Sequence, residues 1–294
     1  MAQPDPQDLE RIERAIGVRP TGLRWARGHG APSNRRYVVE LPGSATAFAK
    51  IAGFDYTADW LRIEHAHYVA LASLACVPRL VGWDDDGEHP ALVIEDLSRA
   101  AWPPPWSRSD VGIVLDTLEL IGSAPIPDEI DEAAQRRLWD IREGWDLIRA
   151  DPRGFLRLEL CSEGWLEAHV EELESAAAAA TIDADTLVHA DVRSDNLCIR
   201  SGTAMLVDWN WACVGSKDLD RITFAPSLAH EGGPPPWEIA PGHPELVALI
   251  AGYFCEHAHR PSIPQAPHVR QLQLDQGRVA LTWAARELGL PPPS

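Results

Sequence analysis

The sequence predicts an α+β fold in which a small antiparallel sheet precedes a larger, mainly helical region. Residues 22–97 contain short apolar runs separated by turn residues, the pattern of antiparallel strands. The proline-rich stretch 102–106 then interrupts the chain, and the residues after it carry apolar side chains mainly at helical spacing. We therefore expect a first lobe over residues 1–98 and a second, helical lobe over residues 99–294.

The first lobe is predicted to form a sheet with helices packed on it. Leu9, Ile12 and Ile16 share helical spacing, which predicts a helix over residues 8–16. The acidic run at 84–87 ends in glycine and suits a hairpin turn. Strands are expected at residues 22–28, 35–41, 46–52, 78–83 and 90–97, and a second helix at residues 59–75.

The second lobe is predicted to be helical apart from one small β-rich segment. Three apolar runs lie close together in that segment, at residues 187–190, 196–200 and 204–209, with a Ser-Gly turn between the last two. Helices are expected at residues 111–122, 131–150, 164–180, 244–258 and 268–288.

Composition narrows the class of protein and its partners. The 294 residues are 45% hydrophobic and 24% charged, which is ordinary for a globular chain. The net charge of −18 argues against a nucleic acid or an anionic membrane surface as the main partner. Nucleotide phosphates remain possible ligands, because one lysine, backbone N–H groups and Mg²⁺ suffice to bind them.

The cysteines and the apolar segments predict a cytoplasmic protein. Five cysteines are scattered without a C-x-x-C pair, so we expect reduced thiols rather than disulfides or a zinc site. The first ten residues lack the basic and apolar regions of a signal peptide. No apolar run approaches the roughly 20 residues that a membrane span needs.

The strongest chemical signal is the string His189-Ala-Asp191-Val-Arg-Ser-Asp-Asn196, followed by Asp208 at the end of an apolar run. Phosphoryl transfer needs one carboxylate to orient the attacking hydroxyl and accept its proton. It also needs oxygen ligands for Mg²⁺, such as a second carboxylate and an amide. Asp191, Asp208 and Asn196 supply this set. The alternative, that they are ordinary turn and strand-end residues, requires the string and Asp208 to coincide by chance.

Lys50 is the second signal, because the chain has only two lysines and this one lies in an apolar strand. An unpaired ammonium is costly there, so we expect a partner, and Glu64 on the next helix is the candidate. Such a pair can hold a lysine against nucleotide phosphates. The alternative is a strand lysine that extends into solvent.

The loop that joins the first two predicted strands is the third signal. Gly28, Gly30 and Ser33-Asn34 keep it small, which allows backbone N–H groups to approach phosphate oxygens. The loop lacks the G-x-x-x-x-G-K-[ST] pattern, and taken alone it is also typical of an ordinary hairpin loop.

Together, HADVRSDN, LVDWN and AFAKIA resemble the aminoglycoside phosphotransferase and choline kinase-like family. The resemblance extends from Ser33-Asn34 to Asp218. It implies a protein-kinase-like bilobal fold, Mg²⁺, ATP or GTP as phosphate donor, and a small-molecule hydroxyl as acceptor.

The resemblance also implies a role for each matched residue. Asp191 corresponds to the catalytic base, and Arg193, unusual at its position, is expected to face the acceptor or the γ-phosphate. The magnesium ligands are expected at Asn196 and Asp208. The nucleotide-binding residues are expected to be Ser33, Asn34, Lys50, Glu64 and the hinge residues Glu95, Asp96 and Leu97.

Two departures from the family pattern stand out. Ala190 replaces the glycine that is common before the catalytic aspartate. The stretch after residue 214 lacks the usual Asp-Pro, and we match Asp218-Leu219 to the family's later Asp-Leu.

The acceptor is predicted from charge alone. Residues 1–98 carry a net charge of −4 and residues 99–294 one of −14, which suits a cationic acceptor such as an aminoglycoside. A metabolic kinase for a sugar, amino alcohol or amino acid is the alternative. A non-catalytic, nucleotide-binding pseudokinase is a third possibility, against which the intact Lys50, Asp191, Asn196 and Asp208 count. The sequence gives no oligomeric state.

Overall fold

The computed structural model describes residues 4–26, 34–130, 132–264 and 266–294, and it has the predicted α+β architecture. The chain forms two compact units. The first comprises Met1–Pro103, Pro127–Glu129 and Asp195–Trp211, and the second comprises Pro104–Ile126, Ile130–Ser194 and Ala212–Ser294. The division at residue 98 into a nucleotide-binding lobe and an acceptor lobe stays a prediction.

The first unit contains an antiparallel five-stranded sheet in the order β1-β2-β3-β5-β4. Its strands are β1 (Gly22–Trp25), β2 (Asn34–Glu40), β3 (Thr46–Ala52), β4 (Leu80–Asp84) and β5 (Ala91–Glu95). In this register Arg36 of β2 and Leu92 of β5 flank Lys50 of β3. Because side chains alternate between the two faces of a sheet, these three share one face.

Helix α1 (Pro6–Ile16) covers the opposite face. Asp8 of α1 is fully buried and accepts hydrogen bonds from Arg35 and from the hydroxyl of Tyr37, at 2.7 Å each. Its paired charge makes that burial tolerable. The core on this face consists of Ile12, Tyr37, Val39, Ala47, Ala49, Ile51, Ala91 and Val93.

Helix α2 (Asp55–Ala70) begins and ends earlier than predicted. The Thr57 hydroxyl accepts a hydrogen bond from the Phe54 N–H at 3.1 Å, which satisfies one of the donors that a helix start leaves open. At the other end the Leu74 N–H donates to the Leu71 carbonyl at 2.9 Å, so the backbone turns before residue 75. The shift does not move Glu64, which stays on the helix.

A small hairpin from late in the chain belongs to the first unit. Strands β7 (Leu197–Arg200) and β8 (Thr203–Leu206) pair antiparallel. The Leu206 N–H donates to the Cys76 carbonyl at 2.8 Å, and Cys198 and Met205 pack with Leu97. The chain therefore returns to the first unit at Asp195 and leaves it after Trp211.

The second unit is mainly helical and is built around α10 (Pro244–Ala258), most of whose residues are buried. Gly144 and Gly252 allow the helices to touch, because a Cβ on Gly144 would lie 2.3 Å from the Gly252 carbonyl carbon. Its other elements are α3 (Arg108–Gly122), α4 (Ala134–Arg137), α5 (Gly144–Ala150), α6 (Arg153–Leu156), α7 (Glu163–Ala179), β6 (Thr186–Val188), β9 (Cys213–Gly215), α8 (Leu219–His230), α9 (Pro236–Ile239) and α11 (Val269–Glu287).

One helix prediction for this unit was wrong, and helix α8 was not predicted. The single helix expected at residues 131–150 is broken into α4, a 3-10 segment (Trp139–Glu143) and α5. Gly144, where α5 begins, is held against the backbone of α10, so tertiary packing overrides the local pattern. Helix α8 was not predicted, since Pro226 lies in its interior. None of the helices in the described ranges is both long and apolar enough to cross a bilayer.

Candidate active site

The residues that carry the chemical prediction fall into two clusters, one in each unit. In the first unit Lys50 is buried, with 3% of its surface exposed, and its Nζ donates to Glu64 Oε1 at 2.7 Å. The ammonium also donates to Asp208 Oδ1. The expected Lys50–Glu64 pair is therefore present, and Asp208 is a second partner that the sequence did not predict.

Burial and charge oppose each other in this cluster. Burial lowers the pKa of Lys50, but Asp208 and Glu64 outweigh it, so the pKa is raised and the ammonium stays charged. Burial raises the pKa of Glu64, against the lowering effect of Lys50. The three groups depend on one another, since each charge would be costly without its neighbours.

The β7–β8 hairpin places Asn196 beside Asp208. The Val207 N–H donates to the Asn196 carbonyl at 2.9 Å, which extends the ladder by one step beyond β7 and β8. Asn196 is buried, whereas the Asp208 side chain keeps 26% of its surface exposed. Asp208 has a φ of 64°, a left-handed conformation that is uncommon outside glycine and is typical of functional sites.

The second cluster comprises residues 189–194, the part of the 189–196 loop that belongs to the second unit. Arg193 Nε lies 3.3 Å from Asp191 Oδ1, and the two side chains expose 21% and 29% of their surface. His189 is fully buried, and its Nδ1 accepts a hydrogen bond from the Asp191 N–H at 3.3 Å. The buried His189 thus holds the backbone of Asp191, while the Asp191 side chain stays partly exposed.

Asp220, at the start of α8, holds the beginning of this loop. Its carboxylate accepts hydrogen bonds from the N–H groups of His189 at 2.8 Å and Ala190 at 2.7 Å. Ala190 has a φ of 63°, which explains why glycine suits this position and why the backbone needs support here. Asp220 makes this contact, and Asp218 of the Asp218-Leu219 pair that was matched to the family's Asp-Leu does not.

Glu231 holds the other end of the loop. Its carboxylate accepts hydrogen bonds from Ser194 Oγ at 2.5 Å and from the indole N–H of Trp106 at 2.8 Å. Trp106 also packs edge-on against Phe224 of α8. The proline-rich break that the sequence showed therefore contributes a tryptophan that supports the loop carrying Asp191.

Asp220→Asn is expected to change the pH dependence of stability. Burial raises the pKa of Asp220 to about 6, against the two N–H groups, which lower it. Between its ordinary pKa of 3.8 and about 6 the folded state binds more protons than the unfolded state. The carboxyl therefore makes the fold less stable as the pH rises through this window. An asparagine does not titrate and lacks this effect.

Urea unfolding of wild type and Asp220→Asn at several pH values measures this. The unfolding free energy of wild type, relative to the variant, should fall by about 3 kcal/mol from pH 3.5 to pH 7. The amide also has one acceptor oxygen for two N–H groups, which should cost about 1–3 kcal/mol at every pH. Parallel stability curves would contradict the raised pKa.

Most of the predicted nucleotide-binding residues lie in the first unit. Asn34 begins β2, while Gly28, Gly30 and Ser33 lie outside the described residues. Glu95 makes a bidentate ion pair with Arg200, at 2.7 and 3.1 Å.

The other two hinge residues are engaged locally. The Asp96 carboxylate accepts a hydrogen bond from the Ser98 N–H at 2.8 Å. The Leu97 carbonyl accepts one from the Trp102 indole at 3.0 Å. The side chains of Glu95 and Asp96 are thus occupied in shaping the segment.

Sequence reasoning missed Asp220 and Glu231. Asp220 stands in a stretch that matches the family only loosely, and no local pattern marks Glu231. Of the two tryptophans after Asp208, Trp209 is fully buried and donates to the Leu206 carbonyl, whereas Trp211 lies against Trp60. In the described part of the chain no group of three or more His, Cys, Asp or Glu side chains could hold a metal ion.

Solved structures with the same fold include several kinases of small molecules. A spectinomycin phosphotransferase, APH(9)-Ia, in complex with ADP and spectinomycin is 12% identical over 87% of this chain and 86% of its own, with a TM-score of 0.54. The streptomycin–ATP complex of APH(2″)-IIa is 13% identical over 93% and 97%, with a TM-score of 0.56. A protein assigned as a fructosamine-3-kinase from Thermobifida fusca YX-ER1 is 20% identical over 93% and 98%, also at 0.56.

A search of the curated proteins finds none that matches this chain. The model of the phosphotransferase enzyme family matches residues 26–262, a range that includes Lys50, Glu64, the 189–196 loop and Asp208. The chain therefore belongs to the phosphotransferase enzyme family and is a small-molecule phosphotransferase.

Proposed function

We propose that this protein transfers the γ-phosphate of ATP or GTP to a hydroxyl of a small cationic molecule. The observation that carries the proposal is the buried Lys50 ammonium between Glu64 and Asp208. A lysine fixed in this way can orient the α- and β-phosphates of a nucleotide. Asn34, Ser33 and the backbone of residues 95–97 would complete the nucleotide site.

The donor set fits Mg²⁺. Asp208 and Asn196 offer carboxylate and amide oxygens, the ligands that this hard cation prefers, and the hairpin brings the two residues together. Mg²⁺ commonly uses one or two protein carboxylates and takes further ligands from substrate phosphates and water. When bound, the ion would neutralise charge on the transferring phosphoryl group.

Asp191 is proposed as the catalytic base. Its carboxylate would orient the acceptor hydroxyl and accept its proton. Arg193 Nε, 3.3 Å from Asp191 Oδ1, would stabilise the negative charge of this carboxylate. Asp220 and Glu231 hold the two ends of the loop, so the carboxylate is positioned before the acceptor binds.

The proposed acceptor is a cationic hydroxyl compound such as an aminoglycoside, because residues 99–294 carry a net charge of −14. The fructosamine kinase-like fold neighbour keeps a metabolic kinase for a sugar, amino alcohol or amino acid as the second candidate. The same acidity disfavours nucleic acid as a partner. All five cysteines are free and buried, which suits a reducing, cytoplasmic location.

A nucleotide-consumption screen tests the function. Purified protein is incubated with ATP or GTP, Mg²⁺ and a panel of aminoglycosides, other amines, sugars and amino acids. Acceptor-dependent consumption with a cationic hydroxyl compound supports the proposal, and consumption with a neutral sugar supports the metabolic candidate. Nucleotide binding without consumption for any acceptor would instead indicate a pseudokinase.

Asp208→Ala is expected to remove the magnesium-dependent part of nucleotide binding. A nucleotide at 100 times its Kd stabilises the folded state by about 2.7 kcal/mol, and this gain should be smaller in EDTA than in Mg²⁺. In the variant the two gains should be equal. Thermal unfolding with and without Mg²⁺ measures both, and Asp59→Ala, an exposed change on α2, is the matched control. An unchanged magnesium dependence in Asp208→Ala would show that Asp208 is not a ligand.

A further inference from the structure

Two adjacent arginines of β2 have different environments. Arg35 points to the α1 face, where Asp8 binds its guanidinium at 2.7 and 2.9 Å. Arg36 lies on the other face, directly across from Lys50 in the β2–β3 register. The role of Arg35 is structural, and that of Arg36 calls for a separate explanation.

One nitrogen of the Arg36 guanidinium is not satisfied. This atom, Nε, is buried and has no hydrogen-bond partner among the described residues. Asn34 lies two positions earlier on the same face, and its Oδ1 is likewise buried and without a partner. Buried polar atoms are nearly always hydrogen-bonded, so these two indicate a place where a polar ligand binds. Of the two, the Arg36 N–H donor suits a phosphate oxygen, whereas the Asn34 oxygen is an acceptor and requires a donor.

Charge around Lys50 supports the same conclusion. The Lys50 ammonium already faces two carboxylates, Glu64 and Asp208, which together outweigh its charge. Arg36 lies directly across from Lys50 in the β2–β3 register and adds a second positive charge on the same face of the sheet. Arg36 and Lys50 together balance the two carboxylates, so an incoming phosphate meets no excess of negative charge here.

We propose that Arg36 is a second phosphate-binding residue, whose guanidinium donates hydrogen bonds to phosphate oxygens of the nucleotide beside Lys50. This inference rests on the proposed function. A guanidinium is planar and binds phosphate through two parallel N–H groups, whereas Lys50 supplies a point charge. Arg36 would thus fix the orientation of the phosphate chain that Lys50 attracts.

Binding measurements on Arg36→Gln test the proposal. Calorimetry with ADP, inorganic tripolyphosphate and adenosine separates phosphate contacts from base contacts, and GDP with guanosine is measured in parallel. The variant should bind ADP and tripolyphosphate about 10- to 100-fold more weakly, as for hydrogen bonds to a charged group, and should bind adenosine as wild type does. Arg36→Lys, which keeps the charge but not the fork, should recover part of the loss.

Arg24→Gln is the matched control, because it removes an arginine of the same sheet whose side chain, within the described ranges, forms an exposed ion pair with Glu40. It should leave all affinities unchanged. Equal weakening for adenosine and ADP in Arg36→Gln would mean that Arg36 contacts the base, and unchanged ADP binding would mean that it contacts nothing. Either result overturns the proposal, as does a wild type that binds neither ADP nor tripolyphosphate.

The proposed function fails in a different way. A wild type that binds ADP but phosphorylates no acceptor would disprove catalysis and leave the comparison of Arg36 variants valid. Loss of tripolyphosphate binding in Arg36→Gln would still assign the phosphate contact in such a protein.

Discussion

Asp191→Asn should lower kcat by about 10²- to 10⁴-fold and leave ADP affinity unchanged. The amide has nearly the same shape as the carboxylate but cannot accept the proton of an attacking hydroxyl. Because Asp220 and Glu231 fix the loop through other groups, the substitution should not displace it. Steady-state kinetics with the acceptor from the screen measures kcat, and calorimetry measures ADP binding.

Asp185→Asn serves as the control for this experiment. Asp185 is exposed and lies just before β6, so the variant makes the same chemical change in the same unit. Its kcat should equal that of wild type. Turnover of Asp191→Asn at the wild-type rate would rule out Asp191 as the base.

Lys50→Met should destabilise the fold by about 3–5 kcal/mol in addition to weakening nucleotide binding. Methionine fills a volume similar to that of the lysine stem, so packing alone would tolerate it. The charge decides the outcome, because the ammonium lies against two carboxylates and Glu64 has only 3% of its surface exposed. Removing one partner of a buried ion pair leaves the other charge uncompensated, and this costs about 3–5 kcal/mol of unfolding free energy. Separately, the free energy of nucleotide binding should weaken by about 1–3 kcal/mol.

A double variant and a pH series test whether the unpaired Glu64 carboxylate causes the loss of stability in Lys50→Met. Lys50→Met/Glu64→Gln removes the stranded carboxylate and should recover much of the stability while nucleotide binding stays weak. Burial already raises the pKa of Glu64, and without Lys50 it rises further. A carboxyl with a raised pKa stabilises the folded state as the pH falls through that pKa, so Lys50→Met should lose least stability in acid. Equal stability of the single variant and wild type at pH 8 would contradict the buried triad.

Sequence reasoning found the part of the site that local chemistry dictates. A lysine in an apolar strand needs a carboxylate, and Glu64 was the acid that the following helix could supply. The second carboxylate, Asp208, is 158 positions away, and only the return of β7 and β8 to the first unit brings it to Lys50. Long-range pairings of this kind leave no local pattern.

The residues that hold the 189–196 loop were likewise beyond the reach of local sequence patterns. Asp218-Leu219 matched the family by residue type, but what decides the role is which carboxylate reaches the N–H groups of His189 and Ala190, and that is Asp220. Helix α8, which carries Asp220, was hidden by Pro226, whose missing N–H and ring normally end a helix. Pro226 is buried within α8, so packing outweighed this local preference.

The return of residues 195–211 to the first unit limits how such proteins can exchange parts. A gene fragment that ends at Pro103 encodes the five-stranded sheet but neither the hairpin nor Asp208. It would leave Lys50 with one carboxylate fewer and would uncover Leu97, which packs on Cys198 and Met205. Recombination between relatives that swaps only the first hundred residues would therefore pair a sheet from one parent with a hairpin from another. A first unit transplanted from a relative must bring both segments to retain its own packing.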